Sequence, residues 1–200
     1  MINAVVFDMG GVLLSLNVSR CVNAFREVGF EDIENYLNIY RQQGFIGDFE
    51  EGRIDEKQFF EECLKHCKPG TTKDDVYCCF VGLLSGLNKP MVDVLMQLRG
   101  KYDLYLLTNN NPLSRKAFDE LMLENGIRTD EVFTRQFYSY EMKLQKPGLE
   151  IFRKVIEGIG CAPGEILFVD DAEANCKAAE SLGIRTVLYR PGADVLAALQ

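Results

Sequence analysis

Three short apolar runs, each closing in a polar residue, constrain this chain most: Ala4-Val5-Val6-Phe7 before Asp8, Leu104-Tyr105-Leu106-Leu107 before Thr108, and Ile166-Leu167-Phe168-Val169 before Asp170. Such runs lack the in-out alternation of a half-solvated strand, so they suit a sheet covered on both faces. From Pro90 onward they fall into a regular alternation: helix 91–99, strand 102–108, helix 113–125, strand 135–139, helix 149–159, strand 166–170, helix 174–182, strand 185–189 and a last helix at 193–199. That order specifies an α/β, doubly wound parallel (Rossmann-like) sheet. Residues 15–86 lose the strand pattern and read as helices at 18–28, 33–42, 55–66 and 73–84. Asp55 with Gln58 three residues on forms a capping box, and Ile54, Phe59, Phe60, Cys63 and Leu64 supply an apolar stripe. The predicted organisation is a core of residues 1–14 and 87–200 with an all-helical insertion, 15–86, after the first strand.

Open α/β sheets present ligands at the carboxyl ends of their strands, so the residues closing the runs are the candidates for chemistry. Asp8, followed by Met9-Gly10-Gly11, is placed as a nucleophile beside a turn that can wrap a small anion, or as an ordinary strand-ending turn. Thr108-Asn109-Asn110-Asn111-Pro112 offers a hydroxyl and unpaired amides at a helix start, which make a phosphate seat; simple capping by Asn is the plainer alternative. Lys146, before Pro147-Gly148, either brings an ammonium to that seat or is a solvated loop charge. The adjacent carboxylates Asp170 and Asp171 are costly unless a cation neutralises them, and hard oxygen ligands suit magnesium; a solvated capping pair is the alternative.

Taken in order, acid, hydroxyl, lysine and acid pair resemble the haloacid dehalogenase superfamily of aspartate-nucleophile phosphotransferases, and the resemblance covers nearly the whole chain. A response-regulator receiver uses the same groups, but with its acidic pair after the first strand. The closer likeness is to small sugar-phosphate phosphatases, including bacterial α-glucose-1-phosphate phosphatases, and to the phosphatase half of soluble epoxide hydrolases. It is carried by Phe7-Asp8-Met9-Gly10-Gly11-Val12, by the stretch from Phe49 to Phe59, and by Val169-Asp170-Asp171 followed by Asn175. The resemblance implies that residues 15–86 form a helical cap and that the chain is a magnesium-dependent phosphatase acting on a small phosphorylated metabolite, with a sugar 1-phosphate among the candidates.

It also implies roles. Asp8 would attack phosphorus and form an aspartyl-phosphate. Asp8, the Gly10 carbonyl and Asp171 would hold magnesium, with Asp170 beside them. Thr108, Asn109 and the Gly10-Gly11 turn would hold the phosphoryl oxygens, and Lys146 would screen charge between Asp8 and phosphate. Arg20, with Asn17, Phe45 and Asp48, is the expected cap contribution to substrate selection. One departure stands out. The superfamily's phosphatases generally carry a second Asp two residues after the nucleophile, to move the leaving group's proton; here that position is Gly10. Lys143, where related chains usually have a small residue, reads as solvated.

Composition narrows the classes. With 200 residues, 47% of them hydrophobic, and a net charge of −8, the chain fits a globular protein without the basic surface that nucleic-acid binding needs. No apolar stretch approaches a membrane span, and the first strand begins almost at Met1, so a cytoplasmic monomer or weak homodimer is expected, with no membrane partner. Seven cysteines without regular spacing suit reduced thiols. Cys63, His66 and Cys67 share a helix face, but no second ligand pair completes a zinc site. Besides a phosphatase, the motifs admit a phosphate-binding or regulatory protein of low turnover, a phosphomutase or a dehalogenase.

Overall fold

The structure, a computed structural model, describes residues 1–37 and 42–199. Five parallel strands form the central sheet: β1 (Ala4–Phe7), β4 (Asp103–Thr108), β5 (Arg135–Tyr138), β6 (Ile166–Asp170) and β7 (Arg185–Leu188), in the order β5-β4-β1-β6-β7. β1 lies at the centre, with Val6 opposite Tyr105 on one side and Phe168 on the other. The next core strand, β4, joins one flank of β1, and β6 crosses back to the other. The carboxyl end of β1 is therefore the switch point where such sheets bind ligands.

Alternate residues of each strand enter two separate cores, as the twofold period of a strand demands. Val5, Phe7, Leu106 and Val169 pack with α5 (Lys89–Leu98) and α6 (Pro112–Glu124) through Leu95, Phe118 and Met122. Val6, Leu107 and Phe168 pack with α9 (Leu149–Ile159) and α10 (Glu173–Glu180) through Phe152, Val155 and Ala179. Burial on both faces is why these strands read as unbroken apolar runs.

The chain leaves the sheet through a two-stranded antiparallel ribbon, β2 (Leu14–Leu16) and β3 (Leu84–Leu87), which pairs Ser15 with Gly86. Between them, α1 (Val18–Glu27), α2 (Gly44–Glu50), α3 (Glu56–His66) and α4 (Lys73–Val81) surround an apolar cluster of their own. Phe59 sits at its middle, its ring 4.4 Å from Phe49 and 5.0 Å from Phe80. The Asp55–Gln58 capping box opens α3 as expected.

The structure departs from the sequence expectations in four places. The β2–β3 ribbon stands where the pattern predicts the end of helix 73–84 and connecting loop, because strands of three and four residues that contain Ser and Gly carry too little periodicity. The predicted helix 33–42 is a 3₁₀ turn at Ile33–Asn35, and part of it falls outside the described residues. The short helices α2, α7 (Thr129–Val132) and α8 (Ser139–Met142) were not anticipated, since one or two turns show no periodicity. The final helix shrinks to a 3₁₀ turn at Ala197–Leu199.

Phe59→Ala removes the ring that the other aromatic side chains of the helical layer surround, and should cost about 3–5 kcal/mol of stability. Denaturant unfolding measures this, and a loss below about 1 kcal/mol would show that the cluster does not hold the layer together.

Candidate active site

The ends of β1, β4 and β6 deliver the polar groups, and Lys146 ties Asp8 to Asp170. β1 stops at Phe7, and Asp8 turns its carboxylate to accept the Met9 N–H at 2.7 Å. The Lys146 ammonium lies 2.9 Å from Asp8 and 2.7 Å from Asp170, and donates to the Leu107 carbonyl at 3.1 Å. Those three contacts use all three ammonium donors. Lys146 is 2% exposed and Asp170 is fully buried, so this is an interior charge network.

The loop carrying Lys146 is held by a two-point clamp. Asn109 donates its side-chain amide to the Lys146 carbonyl, and its Oδ1 accepts the Lys146 N–H, both at 2.9 Å. Asn109 thus positions the lysine in addition to standing at the expected phosphate seat. Asn111 caps α6 by accepting from Ser114 N–H, which leaves Thr108 and the following amides at the edge of the cavity.

The acidic pair divides its duties. Asp170 accepts from Asn175 at 3.0 and 3.1 Å and from the Ala172 N–H at 2.8 Å, in addition to Lys146. Asp171 is only partly buried and lines the cavity. Gly11 passes beneath it at φ +74°, and a Cβ there would sit 2.2 Å from Asp171 Oδ2. Only glycine adopts that backbone freely and lets the turn cross the carboxylate so closely.

The electrostatics leave the site short of positive charge. Burial pushes the Asp8 carboxyl up to about 7; Lys146 opposes the shift, while Asp170 and Asp171 add to it. Asp171 is raised by burial and by Asp170, against Lys146 and Arg190. Burial also works against the charge on Lys146, but Asp170 and Asp8 outweigh it and hold the ammonium above its ordinary value. Three carboxylates face one ammonium, and the Arg190 guanidinium adds its charge beside Asp171. Asp8, Asp170 and Asp171 can each offer an oxygen within 4.8 Å of the others, the only such convergence of metal-ligating groups among the described residues. An all-oxygen set of this kind fits a hard divalent cation.

These groups open on a cavity of about 110 Å³. Asp8, Gly10, Thr108, Asn109, Lys146 and Asp171 line it, and Asp170 stands behind Lys146. Gly11 supports Asp171 from below and does not line the cavity. Arg20 is not brought to it: the side chain is exposed on α1, and its N–H donates to the capping Asn17 side chain. Phe45 packs among Phe30, Tyr36, Phe59 and His66, and Asp48 pairs with Arg53. The β2–β3 ribbon and the helical layer reach the cavity instead, through Leu16, Leu83 and Leu84 on or beside the ribbon and Gln42 and Glu50 from the insertion. Sequence reasoning missed these, because Glu50 in a Glu-Glu pair reads as a solvated helix end. Lys143 is exposed, in a left-handed conformation at the end of α8. Cys63, His66 and Cys67 do not converge; His66 stacks on Phe30 with ring centroids 4.3 Å apart. All seven cysteines are free.

A family model described as haloacid dehalogenase-like hydrolase matches residues 2–183. The chain belongs to that family. It is 31% identical, over 97% of its length and 95% of the relative's, to a D-ribitol-5-phosphate phosphatase of Bacteroides thetaiotaomicron. The crystal structure of a HAD family enzyme from the same organism, in complex with magnesium and inorganic phosphate, superposes with a TM-score of 0.91 at 31% identity and full coverage of both chains. A weaker likeness, 25% identity over 57% of this chain, connects it to 21% of the bifunctional epoxide hydrolase 2 of Rattus norvegicus. Among the described residues no helix is long and apolar enough to cross a membrane.

Lys146→Met should strip two interior carboxylates of their counter-charge and cost about 3–5 kcal/mol, the scale of a broken buried pair. Equilibrium unfolding measures it; a near-neutral change would mean that Asp8 and Asp170 do not depend on the lysine.

Proposed function

We propose that this chain is a magnesium-dependent phosphatase that hydrolyses a small sugar or polyol phosphate through an aspartyl-phosphate on Asp8. The observation that carries the reading is the single cavity on which Asp8, Thr108, Lys146 and Asp171 converge. A nucleophile, a hydroxyl donor, a fixed ammonium and an acidic cation seat are the parts phosphoryl transfer needs.

Asp8, the Gly10 carbonyl and Asp171 would hold magnesium, with Asp170 kept beside them by Lys146 and Asn175. When bound, magnesium supplies positive charge that lets a phosphate approach three carboxylates. Asp8 attacks phosphorus from the β1 side, and the leaving oxygen departs on the opposite side. Thr108 and the Asn109 N–H steady the equatorial oxygens, and Lys146 draws charge away from Asp8 as the new bond forms. Water then cleaves the aspartyl-phosphate, dividing one hard displacement into two easier ones.

Residues 15–86 serve as the cap and residues 1–14 with 87–200 as the catalytic core. Leu16, Leu83 and Leu84 give the cap side an apolar wall suited to a carbon skeleton. The expectation of a sugar 1-phosphate rests on its acidic leaving group, since Gly10 cannot donate a proton. The name of the D-ribitol-5-phosphate phosphatase, whose substrate is the ester of a primary alcohol, supports the wider class of sugar and polyol phosphates.

Asp8→Asn keeps shape and removes the attacking charge, so turnover should fall to background while inorganic phosphate still binds, as calorimetry would show. Near-normal turnover in that variant would exclude the mechanism. Magnesium at a hundred times its dissociation constant should stabilise the protein by about 2.7 kcal/mol, and Asp171→Asn should abolish that gain. A thermal shift left unchanged by Asp171→Asn would remove Asp171 from the ligand set. A screen of sugar and polyol phosphates with and without magnesium identifies the substrate.

A further inference from the structure

The aspartate mechanism needs a proton that the core does not supply. A departing alkoxide must be protonated, and the water that opens the aspartyl-phosphate must lose a proton; a positioned group doing this is typically worth about 10²–10⁴ in rate. On the sheet side, Asp8 is the nucleophile, Lys146 has all three donors engaged, and position 10 is glycine. In-line displacement sends the leaving oxygen away from Asp8. Besides the strand-end groups, the cavity is lined by Leu16, Gln42, Glu50, Leu83 and Leu84, the five contributed from outside the central sheet. Glu50 is the only one of these five that titrates.

Building on the phosphatase reading above, we propose that Glu50 is the proton donor and acceptor of this active site, acting from the cap on the cavity it shares with Asp8. Three further observations support it.

The position of Glu50 is fixed to the catalytic core. The Ser139 hydroxyl, fully buried, donates to the Glu50 carbonyl at 2.6 Å and accepts the Asn110 N–H at 2.9 Å. One hydroxyl therefore joins the end of α2 to the segment that follows Thr108. Two residues on, Gly52 sits at φ +66°, where a Cβ would lie 2.2 Å from the Tyr140 carbonyl oxygen. The chain carrying Glu50 is pressed against α8 so closely that only glycine fits.

Its carboxyl group has no hydrogen-bond or ionic partner among the described residues. The charged groups around it are engaged elsewhere: Asp48 and Glu51 with Arg53, Glu141 on α8 with Arg115, and Lys57 and Lys65 on α3 with Glu61 and Glu62. A carboxyl that the described residues leave without a partner beside a cavity is available to whatever enters it. Burial alone pushes Glu50 up to about 8, so near neutral pH it is a neutral acid that can donate a proton and does not repel a phosphate dianion.

The steps balance. In the first, an Asp8 oxygen bonds to phosphorus, the bond from phosphorus to the substrate oxygen breaks, and the Glu50 proton passes to that oxygen, giving a free alcohol and a Glu50 carboxylate. In the second, the Glu50 carboxylate takes a proton from water as its oxygen bonds to phosphorus. The bond from phosphorus to Asp8 breaks, releasing inorganic phosphate and restoring both residues.

Glu50→Gln tests this, because it keeps the shape and cannot deliver a proton. With D-ribitol 5-phosphate, a primary alkyl ester, kcat/KM should fall about 10²–10⁴-fold. With 2,4-dinitrophenyl phosphate, whose leaving group needs no proton, the first turnover should slow by less than about tenfold. It should appear as a burst of phenolate equal to the enzyme concentration, followed by slow release of phosphate as the aspartyl-phosphate accumulates. Thermal melting should show a midpoint at or above the wild type's, since a carboxyl without a partner among the described residues has been removed. If Glu50→Gln is as active as the wild type on the alkyl ester, or raises only KM, or slows both esters equally without a burst, Glu50 does not move the proton and the inference falls. If the wild type hydrolyses no phosphate ester with magnesium present, the phosphatase reading falls with it.

Discussion

The interior ion network around Lys146 is the constraint on which the rest of this site depends. Burying an ammonium and two carboxylates is tolerated only because the geometry is tight: 2.9 Å to Asp8, 2.7 Å to Asp170, and a third donor spent on the Leu107 carbonyl. Holding it requires three strands of one parallel sheet to end at the same level, and a loop after α8 to reach back across them. Asn109 clamps that loop at both its N–H and its carbonyl. Core packing, sheet order and loop conformation thus all serve the position of one nitrogen.

The charge count around it explains the division of labour between neighbouring acids. Asp170 and Asp171 are adjacent in sequence, yet strand pleating sends them to different environments. Asp170 is closed in by Lys146, Asn175 and the Ala172 amide, whereas Asp171 looks into the cavity over Gly11. With three carboxylates and one ammonium, the edge of the sheet is left electrostatically incomplete. The burial-raised Asp8 and Asp171 record that deficit. A phosphate could enter such a site only together with a cation.

The helical layer is joined to this edge by several close contacts. Ser139 bridges Glu50 and Asn110, Gly52 lies against Tyr140, and Leu113 of α6 enters the apolar cluster of the helices. These contacts give the cavity a defined outer lining, most of it apolar, with one carboxyl in it, Glu50, that has no partner among the described residues. The ribbon of β2 and β3 is the covalent neck between the two parts.

Much of this was legible in the chain itself, and the reason is physical. A strand buried on both faces must be continuously apolar, so the polar residue that closes it marks the carboxyl edge of the sheet; Asp8, Thr108 and Asp170-Asp171 are legible that way, and the spacing of Asp55 and Gln58 marks the start of α3. Sequence position also placed Lys146, through the loop that precedes α9. Groups that reach the cavity from outside the strand ends carried no such mark. Arg20 and Phe45 were reasonable by proximity in sequence, but one faces solvent and the other joins the aromatic cluster of the helices. Glu50 looks like any charged helix end until Gly52 and Ser139 fix it against the core. The sequence by itself determined the sheet, its order of chemistry and the acids at its edge, because hydrophobic periodicity is local. Only the tertiary structure decided which residues share the cavity with Asp8, because that depends on how the helical layer packs over the sheet.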